Sequence, residues 1–299
     1  MSRTQANLLL LVVALIWGSA FVAQSHGMAN LGPITFTGVR FLIGALVVAP
    51  LMWVEWRHLR RVAKPLQQRD AFQIAGLGCL LLLGAALQQI GITATSVTNA
   101  GFLTALYVPL VPVLGWLLWR QLPHWSVWPG ALACLGGAYL LSGASTLAIS
   151  PGDWWVIASA MPWALHVLLI GRVADRMAAP FLVAGGQFVV CGVLALAWSL
   201  AYEPVNWASL QAAALPLGYA GILSVGVAFT AQVVAQRYAQ AADAAIVLSA
   251  ETLFAALFGF LLMGDRLDAP GIAGCVLIFA SMLGVQMLPL LSRTRLSRR

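Results

Sequence analysis

Long apolar runs, separated by short polar segments, fill the chain from one end to the other. The longest uncharged stretch, residues 71–119, holds 49 residues without Asp, Glu, Lys or Arg. A helix needs about 20 apolar residues to cross a membrane, so this stretch accommodates two crossings. The pattern predicts an all-α integral membrane protein with ten transmembrane helices, spans 1 to 10. Their expected limits are 7–26, 34–53, 71–92, 98–119, 128–142, 153–171, 180–200, 215–236, 244–263 and 270–290.

The same features recur at a nearly constant distance along the chain. Matching residues lie 144 to 147 positions apart: Trp17 with Trp163, Arg40 with Gln187, Phe41 with Phe188, Gly115 with Gly259 and Gly130 with Gly274. A steady offset near half the chain length indicates an internal duplication. We therefore expect a first five-helix repeat at 1–143, a second at 144–292 and a basic cytoplasmic tail at 293–299.

Five crossings end on the opposite side of the membrane from where they began, so the second repeat must be inverted relative to the first. Inverted-topology repeats around a midplane site are typical of secondary transporters. Matching residues of the two repeats are termed mates below.

The positive charges lie on alternate loops. With the N-terminus placed inside, fourteen of the sixteen Lys and Arg residues fall on the inner side. By the positive-inside rule this predicts a multi-pass membrane protein with both termini in the cytoplasm. We therefore attribute the net charge of +7 to the Lys and Arg residues of the cytoplasmic loops. Nucleic-acid binding is not expected, because no basic, aromatic-rich domain is present.

Ionisable side chains inside the apolar runs are candidates for a functional site, because a charge at the centre of a membrane helix costs about 2.5–3.5 kcal/mol. Glu251 in span 9 is interpreted either as a carboxylate that carries protons or contacts a substrate ammonium, or as a hydrogen-bonded structural group. Arg40 stands seven residues into span 2, and we expect it to snorkel towards the outer face. His166 follows Trp163 by three residues. The two share one face of span 6, and we expect that face to line a cavity, with Pro162 permitting a bend. The alternative is a lipid-facing tryptophan and a hydrogen-bonded histidine.

Two further pairs of mates carry polar groups. Gln88 in span 3 and Gln232 in span 8 lie 144 positions apart, as do Tyr107 in span 4 and Glu251. An unpaired amide facing lipid is costly, so both glutamines should face protein or water. They are expected either to pair across the pseudo-twofold axis or to meet the substrate.

These observations predict a substrate-binding site near the midplane, between the repeats. Its expected residues are Trp17, Gln88, Tyr107, Trp163, His166, Gln232 and Glu251. Aromatic rings would hold an apolar substrate side chain, and Glu251, His166 and the two glutamines would meet its polar end. Glu251 is also the candidate for proton coupling, because hydrocarbon favours the neutral form of a carboxyl group.

Motifs for other classes of protein are missing from the sequence. The four cysteines, Cys79, Cys134, Cys191 and Cys275, lie inside spans without metal-ligand spacing, so we interpret them as packing residues and expect no metal. No glycine-rich loop is followed by Lys-Ser or Lys-Thr, so neither ATP nor another cofactor is expected. No convergent catalytic constellation is present, which argues against an enzyme.

Three stretches resemble the drug/metabolite transporter superfamily in its ten-helix form with two EamA-type repeats. They are residues 15–21 in span 1, 35–42 with Arg40-Phe41 in span 2, and 250–259 continuing to 264–267 in span 9. The resemblance covers nearly the whole chain. One departure is Thr252, where the family usually has a proline after the span 9 glutamate.

Within the superfamily the chain looks most like bacterial exporters of aromatic amino acids. The resemblance implies export of aromatic and other apolar amino acids across the bacterial inner membrane by alternating access. The alternative is export of drugs or other small metabolites on the same fold.

Overall fold

The structure is a computed structural model that describes residues 1–63, 66–95, 97–141, 150–264 and 269–296. Every regular element in these ranges is helical. The first repeat contains α1 (Arg3–Gly27), α2 (Pro33–Arg61), α3 (Gln68–Ile92), α4 (Val97–Thr104), α5 (Tyr107–Trp119) and α6 (Val127–Leu141). The second contains α7 (Pro151–Met177), α8 (Pro180–Tyr202), α9 (Trp207–Ala212), α10 (Ala214–Gly218), α11 (Thr230–Gln236), α12 (Ala241–Leu248), α13 (Ala250–Phe258) and α14 (Ala269–Leu296). Two wider π-helical segments, Tyr219–Phe229 and Gly259–Met263, follow α10 and α13.

All ten predicted spans correspond to helices, but not all are continuous or equally long. Among the described residues, eight helical stretches are long and apolar enough to cross a membrane, and two shorter ones are Val127–Leu140 and Ala269–Val285. The shorter pair occupies predicted spans 5 and 10, which are mates. Span 6 is the single helix α7 and continues through Pro162, so the proline does not end it.

The packing of the spans has the symmetry expected of two inverted copies. Spans 2 and 7, which are mates, pack along each other, and so do spans 5 and 10. Span 3 packs against span 6, just as its mate span 8 packs against span 1. Span 1 also packs against span 9, just as span 6 packs against span 4. Each of these contacts thus has a counterpart in the other half, which describes a pseudo-twofold axis between the repeats.

Spans 2 and 7 cap one another through glutamates. The carboxylate of Glu55, near the end of α2, accepts a hydrogen bond of 2.7 Å from the N–H of Leu182 at the start of α8. Glu203, just after α8, accepts bonds of 2.9 and 2.7 Å from the N–H groups of Ile34 and Thr35 at the start of α2. Helix N-termini have unpaired N–H groups and favour a negative charge. This reciprocal capping therefore holds the two antiparallel helices together at both of their ends.

Spans 4 and 9 are interrupted at equivalent positions. The first break, at residues 105–106, precedes Tyr107, and the second, at Ser249, precedes Glu251. Pro109 explains the first, because its ring nitrogen cannot donate to the carbonyl of Ala105 four residues earlier. The second occurs without a proline: Ser249 Oγ donates to the carbonyl of Ile246 at 2.7 Å. The missing family proline at Thr252 therefore does not make span 9 continuous.

Contacts between polar side chains join the predicted cytoplasmic helix ends at one side of the molecule. Arg3 at the start of α1 pairs with Asp243 in the first turn of α12. Arg176 near the end of α7 pairs with Asp70 at the start of α3 at 2.6 Å. The prediction that this side faces the cytoplasm rests on the charge count alone. The side chains of the predicted tail, residues 293–299, lie outside the described residues, as do residues 265–268 of the span 9 stretch that resembles the family.

Close packing of span 1 against span 9 depends on Gly18. A Cβ atom at this position would lie 2.4 Å from Cβ of Phe254 and 2.8 Å from the carbonyl oxygen of Glu251. At Gly76 in α3 an added Cβ meets nothing within 4 Å. We predict that Gly18→Ala destabilises the protein by about 1–3 kcal/mol through overpacking, whereas Gly76→Ala does not destabilise it. Thermal unfolding midpoints in detergent test this, and equal midpoints for the two variants would contradict the packing described here.

Candidate functional site

A cavity lies between the two repeats, beside the breaks in spans 4 and 9. Its volume is about 50 Å³, which holds a few waters and is smaller than the roughly 300–1,000 Å³ of ordinary ligand pockets. A metabolite therefore fits only when the surrounding helices move apart. The first repeat contributes Trp17, Phe21, Gln24, Arg40, Gln88, Thr104 and Tyr107 to its wall, and the second contributes Trp163, Val167, Ser224, Phe229, Gln232 and Glu251.

Aromatic rings from both repeats form one side of this central cavity. Phe229 lies between the two tryptophan mates: its ring centroid is 4.5 Å from that of Trp17 and 6.0 Å from that of Trp163, with the latter pair stacked. Trp163 is only 9% exposed, so it faces the protein interior and not lipid. The Nε1 atom of Trp17 donates to the carbonyl of Ser224 in the π-helical segment at 3.2 Å. The cluster offers a flat apolar surface for a ring or a branched side chain.

The two helix breaks bring Tyr107 and Glu251 to the same cavity. The Tyr107 hydroxyl donates to the carbonyl of Ala245 in α12 at 3.4 Å. The carboxyl group of Glu251 is buried, with its residue 5% exposed, and it has no hydrogen-bond partner among the described side chains and backbone groups. A hydrogen-bonded structural carboxyl, one of the two interpretations of Glu251, is therefore not what the structure contains. Because the group is unpaired and borders the cavity, it is available to a cationic or protonated partner.

Both predicted glutamines line the cavity, but they differ in their hydrogen bonding. Gln88 Nε2 donates to Oγ1 of Thr104 at 2.7 Å, and Thr104 in turn donates to the carbonyl of Ala100. The side-chain oxygen of Gln232 is buried without a partner, and so is the indole nitrogen of Trp163. Gln88 is therefore held within its own repeat by Thr104, while Gln232 has a free acceptor at the cavity.

The expectation that Arg40 snorkels to the outer face is wrong. Its residue is 4% exposed, and Nη1 donates to Oε1 of Gln24 at 2.5 Å. The guanidinium carbon lies 5.7 and 5.3 Å from the ring centroids of Phe36 and Phe41. An amide oxygen and two aromatic faces stabilise the guanidinium inside the protein, although its Nε atom is buried without an acceptor. The group lines the cavity instead of reaching the headgroups.

His166 shares a helix face with Trp163 but does not reach the cavity surface. It is fully buried, and its Nε2 donates to Oε1 of Gln187 at 2.8 Å. Its ring centroid lies 6.1 Å from that of Trp163 and 6.4 Å from that of Phe229. The histidine ring therefore packs against the aromatic wall from behind and does not itself line the cavity.

Seven lining residues were not among those predicted: Phe21, Gln24, Arg40, Thr104, Val167, Ser224 and Phe229. The four polar ones carried a signal in the sequence, since each is a hydrophilic residue inside or at the edge of an apolar run. Phe229 carried none, because its mate at offset 144 is Ala85 and a phenylalanine in a membrane helix is ordinary.

A second cavity of about 480 Å³ opens at the side where the basic helix ends meet. The polar side chains that line it are Gln121, Arg172, Asp175, Gln236, Arg237 and Gln240, and we refer to it as the basic vestibule. Val167 borders both the vestibule and the central cavity, and its carbonyl is fixed by Nε2 of Gln236 at 2.8 Å. One layer of side chains therefore separates the central cavity from this side of the molecule.

Within the described residues, no cluster of three or more His, Cys, Asp or Glu could hold a metal ion. The four cysteines are free. Buried Cys134 contacts the hydroxyls of Ser281 and Ser249 at 2.9 and 3.3 Å, which joins spans 5, 9 and 10.

Two inverted sets of membrane spans around a shared polar and aromatic cavity define a secondary transporter. The model of the EamA-like transporter family, part of the drug/metabolite transporter superfamily, matches residues 4–143 and again residues 150–287. The chain therefore belongs to the EamA-like transporter family, whose members are transporters and not enzymes. The predicted all-helical membrane fold of two repeats is confirmed.

Similar proteins agree with this assignment. An uncharacterized transporter of Archaeoglobus fulgidus is 29% identical over 285 residues, covering 95% of this chain and 87% of that protein. The uncharacterized transporter YwfM of Bacillus subtilis is 22% identical, with 96% of each chain covered. A solved crystal structure shares the fold with a TM-score of 0.79 at 20% identity, covering 96% of this chain and 100% of that one.

Removing the Trp163 ring should weaken substrate binding. An aromatic contact contributes about 0.5–1.5 kcal/mol beyond its buried area, so Trp163→Ala should raise the apparent substrate constant at least several-fold. Trp154→Ala, in the same helix but 59% exposed, is the matched control. Transport kinetics in liposomes provide the measurement. Unchanged kinetics for Trp163→Ala would remove this residue from the site.

Proposed function

We propose that the protein exports aromatic and other apolar amino acids across the bacterial inner membrane by alternating access. The observation that carries this proposal is the joint lining of one cavity by an aromatic cluster and by unpaired polar groups. Trp17, Phe229 and Trp163 supply flat apolar area, while Glu251 and Gln232 supply acceptors. An apolar amino acid has the same division into a ring or branched side chain and a polar end.

In this scheme the basic vestibule is the cytoplasmic route to the central cavity. The substrate would pass Val167 and settle against the aromatic cluster. Closure on the vestibule side and opening on the other would then release it outside. Inverted repeats favour such a cycle, because each half can adopt the conformation that its mate has just left.

A second candidate is export of cationic drugs or other small metabolites on the same fold. The unpaired carboxyl group of Glu251 favours it, because a buried carboxylate next to aromatic rings also suits an apolar cation. The two candidates differ in what the substrate carries besides its apolar part.

Flux measurements on purified protein in liposomes separate these candidates. We expect saturable uptake of labelled tryptophan or phenylalanine that is competed by other apolar amino acids, while protein-free liposomes show none. Saturable flux of cationic dyes without flux of any amino acid would favour the second candidate and contradict amino acid export.

We further propose that Glu251 couples transport to protons by alternating between its neutral and charged forms. Glu251→Gln keeps the size of the side chain but removes its titratable proton. We expect this variant to exchange substrate across the membrane at equal pH but to lose accumulation under an imposed pH gradient. If it still concentrates substrate, Glu251 is not the coupling residue, and facilitated diffusion or another group must account for transport.

A further inference from the structure

Each repeat joins its first span to its second with one buried polar bridge. In the first repeat, Arg40 on α2 donates to Gln24 on α1 at 2.5 Å. In the second, Oε1 of Gln187 on α8 accepts a hydrogen bond from Nε2 of His166 on α7 at 2.8 Å. Arg40 and Gln187 are mates, at an offset of 147. The fold therefore uses the same position twice, once with a guanidinium and once with an amide.

The second repeat demonstrates that this bridge does not need a charge, since an amide and an imidazole are sufficient there. The positive charge of Arg40 is thus additional to what the connection of the helices requires. Burying it is costly, because a guanidinium stays protonated in proteins and loses its hydration. A charge retained at such a cost and without a structural need is expected to serve another group.

Among the residues that the structure describes, that charge has no ion-pair partner. The ion pairs found among the described residues join Arg3 to Asp243 and Arg176 to Asp70, and the hydrogen-bond partner of Arg40 is a neutral amide. In addition, Arg40 Nε is buried without a hydrogen-bond acceptor. Because Arg40 borders the central cavity, a molecule in that cavity can supply both the missing acceptor and the missing negative charge.

The surroundings hold the guanidinium in a fixed position. Phe36 and Phe41 lie at 5.7 and 5.3 Å from its central carbon, and Gln24 holds Nη1. Arginine presents its donors as a planar fork that matches a carboxylate. A group positioned in advance in this way loses little conformational freedom on binding an anion.

We propose that Arg40 is the receptor for the carboxylate of the transported molecule, while Glu251 receives its ammonium group. This inference rests on the proposed function and makes it more specific. The two residues border one cavity from different repeats. The central cavity would then select zwitterions and discriminate against molecules that carry an ammonium group but no carboxylate.

The test compares three related compounds in liposomes: phenylalanine, phenylalaninamide and phenylacetate. They carry the same ring with both charged groups, with the ammonium alone and with the carboxylate alone. The variants are Arg40→Gln, which places the residue type of the mate Gln187 at this position, and Arg40→Lys, which keeps the charge but not the fork. Arg57→Gln is the matched control, because Arg57 is exposed and also lies over an aromatic ring, that of Trp53.

We expect Arg40→Gln to raise the KM for phenylalanine by roughly tenfold or more, because a charge-assisted hydrogen bond is lost. The KM for phenylalaninamide, measured in transport or by competition, should change by less than about twofold. For Arg40→Lys, the KM for phenylalanine should lie between those of Arg40→Gln and the natural protein. For Arg57→Gln, it should equal that of the natural protein. Retained interaction with the amide also serves as the check that the variant is folded.

If Arg40→Gln raised the KM for phenylalanine and for its amide by the same factor, the role of Arg40 would be overturned and amino acid export would stand. Transport of phenylacetate, but not phenylalanine, by the natural protein would contradict amino acid export while supporting an anion receptor, provided that Arg40→Gln abolishes that flux. Transport of the amide alone, or of none of the three compounds, would overturn both proposals.

Discussion

The hydrogen-bonding requirement of the backbone in a membrane determines where this protein can place a site. No water is available in hydrocarbon to pair free N–H and C=O groups, so an interrupted helix must face protein or a cavity. Spans 4 and 9 are interrupted at equivalent positions, at residues 105–106 and at Ser249. Because these breaks cannot face lipid, they lie in the interior between the repeats. They carry Tyr107 and Glu251 there, and the central cavity forms beside them.

The two repeats are alike in their scaffold and different in their chemistry. Mates pack on mates, and Glu55 and Glu203 cap each other's helices across the pseudo-twofold axis. The cavity residues depart from this symmetry: Tyr107 has Glu251 as its mate, Arg40 has Gln187, and Phe229 has Ala85. A symmetric scaffold lets the protein alternate between two related conformations, while an asymmetric lining lets it bind a substrate whose two ends differ. Aromatic area, an unpaired carboxyl group and a fixed guanidinium are therefore arranged around one small space.

Much of this arrangement was predictable from the sequence, because the repeat offset identifies residues that meet near the axis. It predicted that Trp17 and Trp163, as well as Tyr107 and Glu251, face one cavity, and in the structure all four line the central cavity. The repeat offset does not predict local backbone geometry. His166 packs against the rings of Trp163 and Phe229 instead of lining the cavity, and the π-helical segment Tyr219–Phe229 orients Phe229 between the tryptophans. The inward position of Arg40 depends on Gln24, Phe36 and Phe41, whose proximity is a property of the folded helices and not of any one span.

The most direct test of the central claim is a cryo-electron-microscopy structure of the protein bound to the compound that it transports fastest. The account predicts ligand density between the repeats, with its apolar part against Phe229 and its polar end beside Glu251, in a cavity widened by movement at the breaks in spans 4 and 9. Density confined to the basic vestibule or to a lipid-facing groove, with the central cavity unchanged, would contradict it.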